Sequence, residues 1–226
     1  MISASFRQRF RATIEAPVAR AFARTGLSPN ALTLIGFVIA VIGACLAAAQ
    51  SWLLAGLIVA FGAVFDLFDG ALARATGKTS KFGAFLDSTM DRAGEAVVYI
   101  GIAAGVGAHD IEGGQLFVLV AVAALAASFM VSYTRAKSES LGFSSGTGMA
   151  NIGLAPREIR MVILVIGLIG TGITGGIGSL FFPTSGQGLP LLAALGLIAI
   201  LATITAIQRI YFVYRQSQST NQEAQK

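Results

Sequence analysis

The sequence predicts an all-α, polytopic membrane protein: six transmembrane helices behind an N-terminal amphipathic juxtamembrane helix, with both termini cytoplasmic. Three observations predict it. The 226 residues are 55% hydrophobic, and the mean hydropathy of +0.75 is too high for an ordinary soluble domain. Six stretches approach the roughly 20 apolar residues needed to cross a hydrocarbon core of about 30 Å. All 16 Lys and Arg residues lie ahead of the first stretch, at alternate connections, or at the end of the last. The loops facing the other way, Ala49–Ser51, His109–Gln115 and Pro183–Gly188, hold none, which puts the basic side in the cytoplasm.

Residues 1–27 read as an interfacial helix. Phe6, Phe10, Ile14, Val18 and Phe22 recur every four residues, with Arg7, Arg9, Arg11, Arg20 and Arg24 among them, and Pro17 kinks or divides the helix. Such a surface suits a layer of anionic headgroups. The segment lacks the continuous apolar core of a signal peptide. Residues 28–216 form the transmembrane domain, with spans at Ala31–Ala49, Trp52–Leu72, Ala84–Ala108, Leu116–Tyr133, Met161–Phe182 and Leu189–Tyr214. Gly101, Gly105, Gly107, Gly167, Gly170, Gly172, Gly175 and Gly176 let helices approach closely, within one chain or in a homodimer. Residues 217–226 are polar and read as a disordered tail. The lone Cys45 implies no disulfide, and the lone His109 reads as a polar loop residue.

The chemistry concentrates in FDLFDGALARATGKTSKFGAFLDSTMDR, Phe65 to Arg92. Asp66 and Asp69 are three apart and share a helix face; Asp87 and Asp91, four apart, share a face of the next helix. The short loop around Thr76–Lys81 can fold one pair against the other. Four carboxylates at one edge of an apolar layer repel unless a cation neutralises them. An all-oxygen set with no nearby His or Cys favours Mg²⁺ or Mn²⁺ over zinc, and four carboxylates can hold two such ions as a clamp for phosphoryl oxygens. The competing reading is a salt-bridge network with Arg74, Lys78, Lys81 and Arg92. Gly70, Ala73 and Gly83 weigh against it, because they keep space open above the acids. A cation transporter would set its acids near the bilayer midplane, not at one edge.

The pattern D-x-x-D-G-x-x-A-R-x8-G-x-x-x-D-x-x-x-D, met by Asp66, Asp69, Gly70, Ala73, Arg74, Gly83, Asp87 and Asp91, resembles the signature of the CDP-alcohol phosphotransferase family. SPNALTLIG, Ser28–Gly36, is similar to the family segment that opens its first helix. The resemblance implies transfer of a lipid-phosphate group from a CDP-linked lipid such as CDP-diacylglycerol to an alcohol, with release of CMP. It implies that Asp66, Asp69, Asp87 and Asp91 ligate two metal ions, with Asp91 also the general base. It implies, too, that Gly70 admits the cytidine moiety, Arg74 binds phosphate, and Pro29, Asn30, Ala31, Leu32 and Ser80 line the nucleotide site.

Beyond the aspartates, SYTRAKSESLG and APREIR bring Arg135, Lys137, Arg157 and Arg160 to the same membrane face. Positive-inside signalling alone could account for them. A guanidinium clamp on an acceptor that carries its own phosphate is the functional reading. These residues resemble the phosphatidylinositol phosphate synthase branch, which implies inositol phosphate as acceptor. Glycerol phosphate, the acceptor of a phosphatidylglycerophosphate synthase, is the alternative. The distribution of positive charge argues against a nucleic-acid partner.

Overall fold

A computed structural model describes Phe22 and residues 26–107, 114–143, 152–175 and 188–224. Most of the expected interfacial helix (residues 1–21 and 23–25) and His109 lie outside those residues. The described residues form six helices and no strands: α1 Pro29–Ala48, α2 Trp52–Thr76, α3 Lys81–Gly107, α4 Gly114–Ser140, α5 Arg157–Thr174 and α6 Leu189–Ala224. Helix α1 starts where the chemistry of Ser28-Pro29 says it should. The Ser28 hydroxyl accepts from the Ala31 N–H at 3.1 Å, and Pro29 occupies the first turn, where a missing N–H costs nothing. Helix α2 ends on Gly77, whose φ of +65° closes the last turn. Ser80 opens α3 by accepting from the Gly83 N–H at 2.9 Å.

Each helix packs chiefly on two others, and the order α1–α2–α5–α6–α4–α3 returns to α1, so the bundle is a closed ring. Glycines set how closely neighbours meet. A Cβ at Gly101 or Gly105 would collide with the backbone of Ala44 or Ala47, and one at Gly172 with Leu53. A Cβ at Gly167 would come 2.5 Å from that of Ala194. These glycines are therefore spent on contacts within the chain, which removes them as grounds for a homodimer. Gln50, at the α1–α2 turn, donates its side-chain amide to the Gly105 carbonyl at 2.7 Å. The core between the helices holds Val98, Tyr99, Ile102, Leu164, Leu168, Leu195 and Ile198. Phe61, Leu119, Ile166 and Ile207 point outward, as lipid-facing side chains do.

Four of the helices, α1, α2, α4 and α6 as far as Ser219, are long and apolar enough to cross a membrane. Helices α3 and α5 are not, because each carries its charges within the helix: Asp87, Asp91, Arg92 and Glu95 in one, Arg157, Glu158 and Arg160 in the other. The fifth expected span was to run to Phe182; its helix ends at Thr174, and residues 176–187 lie outside the described set. The tail departs from expectation as well. Helix α6 continues to Ala224, since residues 215–224 contain no Gly or Pro to stop a helix already nucleated.

Candidate active site

The C-terminal half of α2 and the N-terminal half of α3 bring the two aspartate pairs together at one end of the bundle. Between these helices and the start of α1 lies a cavity of about 190 Å³. Pro29, Asn30, Gly70, Arg74 and Ser80, all expected at the nucleotide site, line it, together with Asp69 and Asp87. Gly70 and Gly83 are tight positions in that wall. A Cβ at Gly83 would lie 3.1 Å from the Ser80 hydroxyl and 3.2 Å from the Asn30 Oδ1, so a larger residue would crowd the wall. A Cβ at Gly70 would sit 3.3 Å from the Arg74 guanidinium.

Two expected lining residues are absent from that wall. Leu32 is 1% exposed and points into the core, and Ala31 is spent on the first turn of α1. The reason is helical period: Pro29, Asn30 and Thr33 share the face turned to the cavity, and Leu32 falls on another. Thr33 is the residue the sequence reading missed. Its hydroxyl donates to Asp69 Oδ2 at 2.8 Å and also reaches the Pro29 carbonyl at 3.2 Å. The other Asp69 oxygen accepts from the Gly70 N–H. A threonine one turn into an apolar helix, facing an acid on the next, was the available signal.

The second pair of carboxylates, Asp66 and Asp91, flanks a cation from elsewhere in the chain. Arg157, on the first turn of α5, is 2.9 Å from Asp66 Oδ2 through one terminal nitrogen and 2.9 Å from Asp91 Oδ1 through the other. Arg92 adds a looser contact to Asp91 at 3.6 Å. Asp66 itself lies against Gly36, where a Cβ would stand 2.5 Å from its Oδ1. With Arg157 between the carboxylates, no three acids among the described residues are drawn close enough to hold a metal ion. The donors nonetheless suit a hard divalent cation: they are carboxylate oxygens from two adjacent helices, and Asp66 and Asp91 both border a small cavity.

The four basic residues expected to grip an acceptor do not gather. Only Arg157 reaches the aspartates. Arg160, one turn on, is 1% exposed; it meets both oxygens of Glu95 at 3.0 and 2.8 Å and donates to the Ala155 carbonyl at 3.0 Å. It is a buried strut between α5 and α3, not an open phosphate ligand. Arg135 pairs with Glu139 on its own helix at 2.9 Å, and Lys137 is exposed on α4. Helix α4 packs on α3 and α6, away from α2. Of the competing salt-bridge network, Arg92 does reach Asp91, and Arg157 from α5 adds a bridge that the sequence reading did not include.

The segment leading into α5 is pinned from α6. The Thr205 hydroxyl accepts from the N–H groups of Leu154 and Ala155, each at 3.0 Å. Arg209 donates to the Ile152 carbonyl at 3.0 Å. Gly153 adopts φ +117° directly against Thr205, a conformation and a proximity that other residues would not tolerate.

Comparison with known proteins agrees with this geometry. A model of the CDP-alcohol phosphatidyltransferase family matches residues 26–207. The chain is 39% identical over 194 residues to the archaetidylinositol phosphate synthase of Pyrococcus horikoshii, covering 86% of this chain and 87% of that one. It is 36% identical over 216 residues to the phosphatidylinositol phosphate synthase of Streptomyces avermitilis, covering 94% and 82% respectively. Among solved structures, it resembles the phosphatidylinositol phosphate synthase of Mycobacterium tuberculosis with CDP-DAG bound, at a TM-score of 0.72 and 30% identity, covering 89% of this chain and 94% of that chain. The same mycobacterial enzyme in complex with manganese and citrate gives 0.73 and 31%, covering 89% of each chain. The match takes in α1 to α5, about half of α6 and every aspartate of the site, and the chain belongs to the CDP-alcohol phosphatidyltransferase family of membrane enzymes.

Proposed function

We propose that this phosphatidyltransferase uses inositol phosphate as its acceptor, taking a phosphatidyl or related lipid-phosphate group from a CDP-linked lipid and releasing CMP. One observation carries the reading: a cavity lined by Asn30, Gly70, Arg74, Ser80, Asp69 and Asp87 adjoins two further carboxylates and a cation from α5. The names of the relatives at 39% and 36% identity support the acceptor.

In this reading Asp66, Asp69, Asp87 and Asp91 hold two divalent ions, Mg²⁺ or Mn²⁺; the manganese complex of the mycobacterial relative supports the metal. Bound there, the ions would neutralise pyrophosphate charge. Asn30, Gly70, Ser80 and Arg74 seat the cytidine diphosphate. Thr33 and the Gly70 N–H each hold one oxygen of Asp69 and so fix how that carboxylate faces the site. Asp91 accepts the proton of the acceptor hydroxyl as its oxygen bonds to the β-phosphorus. The bond from that phosphorus to the bridging oxygen breaks, and CMP carries the electron pair away. Arg157 grips the acceptor's phosphate. Arg160 is no part of the grip.

All six helices cross the bilayer in this reading, with the aspartates facing the cytoplasm. Helices α3 and α5 are interleaved in the ring with the four more apolar ones, and the basic residues lie on one side. The acyl chains of the donor then stay in lipid while its headgroup reaches the cavity. The test is CMP release by purified protein with Mg²⁺ or Mn²⁺, CDP-diacylglycerol and a panel of acceptors. Inositol phosphate should be preferred. Preference for glycerol phosphate would replace the acceptor assignment, and no CMP with any alcohol would end the reading. Asp91→Asn should lower turnover about 10²–10⁴-fold yet leave much of the CDP-lipid binding, through the contacts of Asn30, Gly70, Arg74 and Ser80; undiminished turnover would remove the base role.

A further inference from the structure

Arg157 does more in this structure than stand beside the site. It comes from α5, Asp66 from α2 and Asp91 from α3, so a single guanidinium joins three helices at the point where the chemistry converges. Its two terminal nitrogens are each 2.9 Å from a carboxylate oxygen. Its Nε, by contrast, is buried with no hydrogen-bond partner. The bridge is complete in charge and incomplete in hydrogen bonding, so Arg157 is held less completely than Arg160. A cavity of about 30 Å³ borders Arg157, Asp66 and Asp91 and gives the guanidinium space beside it.

A divalent ion bound to Asp66 and Asp91 would need the oxygens that Arg157 holds, and at about 2.1 Å from them it would face the guanidinium as a like charge. The two cations exclude each other. The backbone under Arg157 has no such freedom: Arg160 is locked to Glu95, and Thr205 pins Leu154 and Ala155. Movement is therefore left to the Arg157 side chain, while the start of α5 stays in position. We propose that Arg157 is an exchangeable counter-ion, which divalent metal displaces from Asp66 and Asp91 and which then turns to the phosphate of the acceptor. This rests on the reading that the aspartates hold metal and the acceptor is phosphorylated. It adds an order to that reading: metal loading creates the acceptor's phosphate site, and phosphate in turn favours metal. The coupling is reciprocal, as linkage requires.

The test is Mn²⁺ binding to the full chain in lipid nanodiscs, followed by loss of the free-ion electron paramagnetic resonance signal, with no CDP-lipid present. Arg157→Gln should bind Mn²⁺ about tenfold more tightly than the wild type, because the internal competitor is gone. Equal or weaker binding by that variant would overturn the proposal. A second measurement needs only the wild type. Inositol phosphate, after correction for the Mn²⁺ it chelates without protein, should tighten Mn²⁺ binding about fivefold or more, and unphosphorylated inositol should not. An unchanged affinity would also overturn the proposal. Asp91→Asn separates the two levels of failure. If it binds Mn²⁺ as the wild type does, the metal reading of the aspartates has failed. If it loses binding while Arg157→Gln shows no gain, only the counter-ion has.

Discussion

Arg157 and Arg160 stand one helical turn apart in the same R-x-x-R segment, yet the fold uses them in opposite ways. Arg160 is swallowed: both arms of its fork meet Glu95 and a third donor meets a carbonyl, all out of contact with water. Arg157 is offered: its side chain is 26% exposed, it touches two acids on two helices, and one of its donors is unspent. A motif spaced by three puts both residues on one side of α5, but depth decides what each can do. A fully buried, fully bonded guanidinium is architecture, because moving it would strand Glu95 as an unpaired charge. A partly exposed one between exchangeable partners can take part in a reaction.

The comparison can be broken most decisively at the strut. Arg160→Ala should cost about 3–5 kcal/mol of stability, the usual penalty for leaving one buried charge without its partner. Thermal unfolding in detergent checks this, and Glu95→Ala should reproduce it; a melting temperature unmoved by either variant would mean that Arg160 is no strut. Arg157→Gln is the next largest effect and a different kind. Acceptor KM should rise about tenfold with the donor KM unchanged, and the melting temperature should shift far less than for Arg160→Ala. Thr33→Val sharpens the contrast from the donor side. Losing one hydrogen bond to a carboxylate, worth about 1.5–3 kcal/mol, should weaken CDP-lipid binding and leave acceptor KM alone. The smallest effect belongs to Arg135→Ala. Its exposed i,i+4 pair with Glu139 is worth about 0.3–0.5 kcal/mol, so stability and both KM values should stay within about twofold.

Much of this site was legible before any coordinates. The spacing of Asp66, Asp69, Asp87 and Asp91 needed only helical period and a short loop, and Pro29, Asn30, Gly70, Arg74 and Ser80 do meet around one cavity. On α1 the expected lining differs from the observed one by helical phase: Leu32 faces the core, and Thr33, whose hydroxyl meets Asp69, faces the cavity. The basic group was harder. Its four members share a membrane side, which sequence can tell, but whether a side chain points into the bundle or across it depends on which helices neighbour α5. The ring order that sets α5 beside α2 and α4 beside α3 is a long-range fact. Glu95 was invisible for the same reason, since a lone acid in an apolar helix gains meaning only when its partner 65 positions away is known.

The claim on which the rest depends is that the acceptor's phosphate is read by Arg157. CMP release measured against acceptor concentration, for inositol phosphate and for inositol, in the wild type and in Arg157→Gln, tests it directly. The wild type should favour the phosphorylated acceptor strongly in kcat/KM, and Arg157→Gln should lose about tenfold of that preference. A preference left intact in the variant would contradict the account.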